Sequence, residues 1–420
     1  MASKVLKLKI MNRDIKTKIK LLKTHFYLCF LGLITVGTLL VACKKNDGTI
    51  GMSVPEIISL SGYTNSLYVK LTDVGTTKYE IRYSVNNDMS VSVSKEISAV
   101  ESEVTGFKPA TVYYLQVRAQ KGASWTEWSE IKKCKTATFS TIVTSINMLG
   151  KEHDPKFPNN TWDSRKEALR DVIFQDNNNP DILGLQEGMD LTQTMEVVSF
   201  LNGKYDSYVS DKEISARAIF WKPEKYNLLE SDDVEAYDGT VTGRERSKYA
   251  TFVHLREKAT GKDIMVFNIH PRSGGTADEQ RVRGVVANVI AGKAKAKSEQ
   301  AGNVPVVVIG DFNNQPGSVI GGLPPTPVVF TNNGFTDTFV ASPLKINAHY
   351  ATHDDISLGT ATIGTNGNKR IDYVFIYPLE RIAVSEYATI INFANNSNII
   401  MKQPIPTDHR PVRAVIHLHY

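Results

Sequence analysis

The chain has 420 residues, 41% of them hydrophobic and 22% charged, a balance that excludes a disordered or collagen-like polymer and a length too great for one ordinary domain. The formal net charge of +5 is unevenly spread: residues 1–42 hold eight of the 49 Lys and Arg but one of the 44 Asp and Glu, so the remainder carries a slight acidic excess. An overall basic footprint for nucleic acid is therefore excluded for the body of the protein, leaving room only for local patches.

The first segment, "MASKVLKLKIMNRDIKTKIKLLKTH", is basic, "FYLCFLGLITVGTLL" is uninterruptedly apolar, and "LVAC" follows. This order is that of a secretory signal (1–42) ending in a lipoprotein cleavage box. Cys43 is then the lipidated first residue of the mature chain, anchored in the cell envelope on the periplasmic side or at the cell surface. The alternative, a single transmembrane anchor, needs about 20 apolar residues, more than this run supplies. With Cys29 removed and Cys43 lipidated, only Cys134 remains, so no intramolecular disulfide forms in the mature chain.

Residues 43–52 are a short polar tether. From 53 to 137 short β-rich runs follow one another, among them "SLYVKLT", "KYEIRYSV" and "TVYYLQVRAQ", the spacing of a small β-sandwich. The stretch "VTGFKPATVYYLQVRAQKGASWTEWSEIKKCKT" resembles the end of a fibronectin type III domain, through Phe107, Pro109, Thr111, Tyr113, Val117 and Trp128. The early core tryptophan of that family is missing, with Leu71 in its neighbourhood. The resemblance implies a spacer or a module that binds protein or glycan, with its aromatics packed in the core.

Residues 138–420 alternate strands with helices. "TIVTSIN" and "DILGLQE" read as strands, "DSRKEALRDVIFQD" and "LTQTMEVVSFL" as helices. "ARAIFW", "KYATFVHL" and "DIMVFNIH" are strands in a row, "DEQRVRGVVANVIAGKAKAK" is a helix, and "VPVVVIGD", "RIDYVFIY" and "PVRAVIHLHY" are further strands. Four apolar runs stop on a polar residue: Asn147, Glu187, His270, and Asp311 with Asn313. Each has a mundane reading as a turn or cap. Together they match the way α/β sheets present chemistry at strand ends. Asp372 opens a later strand, and Asp408-His409 precede the last one.

In this order "SIN", "NPDILGLQE", "NIH", "GDFN", "RIDYVF" and "TDHRPV" resemble the endonuclease/exonuclease/phosphatase superfamily, the fold of deoxyribonuclease I, over residues 141–420. The resemblance implies a four-layer α/β sandwich, two packed β-sheets flanked by helices, preceded by the all-β fibronectin type III-like sandwich. It implies Glu187 with Asn147 as ligands of Mg²⁺, or alternatively Mn²⁺. Asp311 and Asn313 would position the attacking water and the phosphate. His409, oriented by Asp372, would serve as general base or as stabiliser of phosphate charge. Asp408 would belong to the metal and water network, and His270 would hydrogen-bond a non-bridging oxygen. Whether Asp311 or His409 takes the water's proton stays open. Arg272, Arg246, His349 and His353 are substrate-side candidates, whereas His417 and His419 read as structural.

The expected function is a lipid-anchored, Mg²⁺-dependent phosphoesterase that cleaves phosphodiesters outside the cytoplasm. Alternatives are a phosphomonoesterase on sugar or inositol phosphates, a surface nuclease, and a catalytically silent surface-binding protein. Long duplex DNA is a poor expected partner because duplex binding needs several Lys or Arg phosphate contacts. "RERSK" at 244–248, with Arg272, Arg281 and Arg283, is the one local basic rim in view.

Overall fold

Strands Ile57–Gly62, Ser66–Leu71 and Glu101–Thr105 form one small sheet, and Val93–Ile97, Tyr79–Ser84, Val112–Lys121 and Lys132–Lys135 form another. The computed structural model describes residues 53–175, 178–189, 191–210, 212, 215–237, 249–356, 359–364, 369–395 and 397–420. Arg246, the RERSK stretch, Cys43, the signal and the whole of the tether lie outside the described residues. Alternation drives the small sandwich: along Val112–Lys121, Tyr113, Leu115, Val117 and Ala119 are buried and their neighbours are not. Leu71 is a core residue, as are Leu67, Val69, Tyr79, Ile81 and Phe107. Trp125 and Trp128 depart from the core reading of the aromatics. The Arg118 guanidinium lies over both rings at 4.6 and 4.4 Å, and that of Arg82 lies over Trp128 at 4.3 Å. A ladder of cation–π contacts thus keeps these half-exposed rings on the sheet surface.

Among the described residues the larger part holds two sheets. One has seven strands in the order Asp206–Val209, Ser215–Trp221, Ile182–Met189, Phe139–Asn147, Val412–Leu418, Ile382–Thr389 and Leu344–Ile346. The other has six, in the order Tyr226–Glu235, Tyr249–Glu257, Asp263–Ile269, Val306–Asp311, Asp372–Tyr377 and Thr336–Asp337. Their inner faces interlock through Val143, Ile182, Ile219, Val266, Val307, Ile309 and Val374. Helices Trp162–Phe174 and Thr192–Leu201 cover the outer face of the first sheet. Helix Ala277–Gln300, opened by a reciprocal Thr276/Glu279 cap, covers the second. Each fully buried Val or Ile contributes about 1.5–3 kcal/mol. An exposed i,i+3 pair such as Arg281–Asp278 is worth a few tenths at most, so the inter-sheet core dominates.

The sandwich is seated on this body through His417. Tyr63 stacks on its ring at 4.5 Å, Thr64 N donates to Nδ1 at 3.2 Å, and Nε2 lies 2.9 Å from Ser385 Oγ. Burial holds the His417 pKa down to about 3, so the ring is neutral and its role is packing, as read from the sequence.

Register brings the strand ends together. Asn147 pairs with Gln186 in parallel, Ile269 with Gly310 in parallel, and Asp311 with Asp372 in antiparallel sense. Gly310 is required at this crossing: its φ is +151°, and a Cβ there would lie 1.9 Å from the Ile269 carbonyl oxygen. Gly310→Ala is expected to destabilise the fold by about 1–3 kcal/mol. The change should be read as a lower urea midpoint at unchanged m-value; an unchanged midpoint would contradict the close approach.

Candidate active site

Asp311 is the centre of the cluster. Its side chain is 1% exposed, and Oδ1 accepts from Asn313 N at 2.7 Å while Oδ2 accepts from Asn147 Nδ2 at 3.1 Å. His270 Nε2 and His409 Nε2 lie 3.4 and 3.7 Å from the same Oδ2. Burial alone would raise the Asp311 pKa. The His409 and His270 charges and the Asn313 N–H outweigh it and hold the carboxyl well below the usual range.

His409 is held from behind. Its Nδ1 lies 2.9 and 3.0 Å from the two Asp372 oxygens, which leaves Nε2 facing Asp311. Burial would lower the His409 pKa, but Asp372 and then Asp311 raise it well above the ordinary value. His270 behaves alike: burial opposes the shift, and Asp311 and Glu187 raise it. Both rings therefore hold a proton more tightly than a free imidazole does. Asp408 is depressed against its own burial by His353, which lies 3.6 Å away, and by His409.

Glu187 reaches the site through an irregularity. Pairing with the Ser215–Trp221 strand slips between Leu185 and Gly188, and Glu187 sits in the bulge with φ +61°, a device that re-aims a side chain. Gln186 turns inward instead and donates to Asn268 Oδ1 at 2.8 Å, while Asn268 Nδ2 donates to the Leu185 and Ala218 carbonyls. This buried amide pair ties the two sheets together under the site. Leu149 and Asn313 share the positive φ of Glu187, so three residues around the cluster hold a conformation that persists only where surroundings over-determine it.

The donor chemistry suits a hard divalent cation. Glu187, His270 and Asp311 offer ligand atoms within 4.8 Å of one another, and the Asn147 carboxamide reaches Asp311 Oδ2 at 3.1 Å. Glu187 Oε2 accepts from Gly150 N at 3.3 Å, and Oε1 lies 3.5 Å from His270 Nε2.

The substrate-side candidates separate. His353 is brought in: its ring lies 4.7 Å from that of His409, a backbone bridge joins the two residues, and the side chain is 48% exposed. His349 instead packs on Tyr350 at 4.1 Å. Arg272 reaches Glu279 at 3.4 Å. Arg283 corrects the basic-rim expectation, because it is fully buried and donates to the Arg272 and Gly274 carbonyls. It braces the loop after His270 and offers nothing to a duplex. Two threonines escaped the sequence reading. Thr407 Oγ1 donates to the Asn147 carbonyl at 2.7 Å and accepts from His409 N at 3.2 Å. Thr352 Oγ1 accepts from Ile371 N and Asp372 N.

Residues 144–409 match the family model described as the endonuclease/exonuclease/phosphatase family. Among curated proteins, carbon catabolite repressor protein 4 homolog 3 of Arabidopsis thaliana is 27% identical over 160 residues, 37% of this chain and 34% of that one. Protein angel of Drosophila melanogaster is 29% identical over 227 residues, 51% of this chain and 58% of that one. The chain thus spans about a third of the first and somewhat over half of the second. Among solved structures, an endonuclease/exonuclease/phosphatase family protein of Bacteroides thetaiotaomicron aligns with TM-score 0.53 at 20% identity, over 67% of this chain and 98% of that one. The mannosyl-6-phosphatase of the same species gives TM-score 0.53 at 20% identity, over 66% and 99%. At that identity the likeness is one of fold.

Proposed function

Because this chain belongs to the endonuclease/exonuclease/phosphatase family, whose members are hydrolases of phosphoesters and generally metal-dependent, we propose that it is a Mg²⁺-dependent phosphodiesterase held outside the cytoplasm through Cys43. The observation that carries the reading is the convergence of Asn147 Nδ2, His270 Nε2 and His409 Nε2 on the buried Asp311 Oδ2 at 3.1, 3.4 and 3.7 Å, an arrangement that holds the carboxyl below and both rings above their ordinary pKa values.

Of the two candidates for the water's proton, this reading takes Asp311, whose carboxyl its neighbours hold below the ordinary pKa, whereas His409 is held above its own. Asp311 therefore orients water for attack on phosphorus and takes its proton. His409 and His270 present N–H groups to the phosphoryl oxygens, where negative charge grows in the transition state. Asn313, fixed by Asp311 Oδ1 and by its own Nδ2 donating to the Pro271 carbonyl, holds the loop that faces the ester. Glu187 and Asn147 would hold the divalent cation, which supplies Lewis-acid polarisation of the ester when bound.

A second reading, a phosphomonoesterase on sugar or inositol phosphates, draws on the same pair of rings, which when protonated also suit a dianionic terminal phosphate. The two-sheet arrangement of residues 57–135 supports the fibronectin type III reading, and its seating on His417 suits a spacer.

The test is a screen of the chain lacking residues 1–43 against bis-p-nitrophenyl phosphate, p-nitrophenyl phosphate and supercoiled plasmid, with EDTA and with added Mg²⁺ or Mn²⁺. The diester should be the best substrate, with turnover lost on chelation and restored by metal. Turnover that survives chelation would remove the metal from the proposal. Preference for the monoester would select the second reading, and efficient nicking of plasmid at roughly 0.15 M salt, where weak exposed attractions are screened, would make the protein a nuclease.

A further inference from the structure

Arg165 stands on the first turn of the helix Trp162–Phe174, yet its side chain is 0% exposed. Its guanidinium points away from solvent and donates in four directions. Nε reaches the Asn160 carbonyl at 3.2 Å, Nη1 the Met148 and Pro406 carbonyls at 2.6 and 3.0 Å, and Nη2 the Leu149 carbonyl at 2.6 Å. Asp154 Oδ1 lies 3.9 Å from Nη2. Burial lowers the Arg165 pKa to about 10, against the pull of Asp154, Asp408 and Glu187, so the group remains a cation at neutral pH.

The acceptors belong to two separate loops of the active site. Met148 and Leu149 follow Asn147, while Pro406 precedes Thr407, Asp408 and His409. On the first side, Leu149 is held at φ +57°, and its carbonyl also accepts from Gln193 Nε2 at 3.0 Å. In that conformation Leu149 N reaches Asn147 Oδ1 at 3.1 Å, and the next N–H, of Gly150, reaches Glu187 Oε2 at 3.3 Å. On the second side, Asn160 Oδ1 accepts from Ile405 N at 3.0 Å, and Thr407 closes the ring by bonding both the Asn147 carbonyl and His409 N. A planar fork with five donors can satisfy carbonyls converging from several directions; an ammonium at the same place cannot reproduce that geometry.

We propose that Arg165 is a positioning residue, which sets the Asn147–Glu187 pair against the Asp408–His409 segment. The inference rests on the reading of those four residues as the working groups of the hydrolase. Its action is through them, because the fully buried guanidinium spends its donors on backbone carbonyls. Residues that orient metal-holding groups from behind typically change metal affinity or activity by about 10–100-fold when altered.

The test uses the full chain in detergent, with Arg165→Lys set beside Leu169→Ala, a variant of the same helix whose side chain meets only the core. Three readouts are taken at a temperature where both are folded: Mg²⁺ affinity by calorimetry on chelator-stripped protein, kcat and KM on bis-p-nitrophenyl phosphate, and Tm. Arg165→Lys should weaken Mg²⁺ binding about tenfold and lower kcat by about 10–100-fold with KM nearly unchanged. Leu169→Ala should lower Tm alone. Arg165→Lys that loses Tm but keeps wild-type kcat and Mg²⁺ affinity would overturn the proposal. Should Arg165→Lys fail to fold, Asn160→Ala, which frees the Ile405–Pro406 side of the same ring, should move kcat and Mg²⁺ affinity in the same direction by less, and no movement there would overturn it. A wild type inactive on every ester would defeat the phosphodiesterase reading. A loss of Mg²⁺ affinity in Arg165→Lys would still uphold the clamp.

Discussion

Asp311→Asn is expected to lower kcat by roughly 10³-fold, about 4 kcal/mol of transition-state stabilisation, while the protein still folds. Asparagine has the shape of aspartate, and its oxygen can still accept from Asn313 N. The position of Oδ2 is another matter. Asn147 Nδ2, His270 Nε2 and His409 Nε2 all converge there at 3.1, 3.4 and 3.7 Å, so a carboxamide N–H₂ in that place would face three donors. The variant loses the group that takes the proton, an effect of about 10²–10⁴ by itself. It also loses the anion that helps keep His270 and His409 charged. The unpaired donors should reduce stability by about 1–3 kcal/mol. Measuring kcat on bis-p-nitrophenyl phosphate together with the urea midpoint separates the two effects. A loss of less than about tenfold in a folded variant would rule out Asp311 as the proton acceptor.

Asp311 is legible in the sequence by contrast with its surroundings. An apolar run such as "VVVIGD" has no packing reason to end on a carboxylate followed by an amide, and three other runs broke the same pattern at Asn147, Glu187 and His270. Parallel neighbours then place those ends side by side. What could not be read was anything that depends on partners far apart in the chain. Arg165 sits in "DSRKEALRD", where one more basic residue looks like a solvated helix face; only the Met148, Leu149 and Pro406 carbonyls reveal its use. Thr407 and Thr352 are likewise ordinary until their backbone partners are known. The strands Tyr226–Glu235 and Ile382–Thr389 were missed for local reasons. The first is a largely exposed edge strand carrying Glu230, Asp232 and Asp233, and a bulge between Val384 and Glu386 breaks the alternation of the second. Arg283 resembles Arg165 in this, since a charged residue on a helix is usually exposed, and this one braces a loop from inside.

Asp372→Asn should reduce kcat by about 10²-fold and draw the alkaline limb of its pH profile toward lower pH. The two residues are buried, with His409 Nδ1 2.9 Å from Asp372 Oδ2. Burial on its own would push the His409 pKa down; the Asp372 charge, then that of Asp311, lifts it well above the ordinary value. Asparagine keeps an acceptor for Nδ1–H, so ring orientation survives and only the charge is removed. The His409 pKa must then fall. If the cationic ring serves the phosphoryl oxygens, activity requires protonated His409 and declines as pH rises through its pKa, so a lower pKa moves that decline toward neutrality. If neutral His409 were instead the base, the acidic limb would move downward and the variant would gain relative activity at low pH. Stability carries the same sign. A raised His409 pKa contributes stability that is fully present below about 6.5, the unfolded value, and is lost as pH rises through the folded pKa. The variant should therefore show a flatter loss of urea midpoint on the alkaline side than the wild type. A profile of kcat on bis-p-nitrophenyl phosphate from pH 5 to 10 decides between the roles: an alkaline limb unmoved in a still-active variant would mean that the Asp372 charge does not govern His409, and a shifted acidic limb would return the proton-accepting role to the histidine.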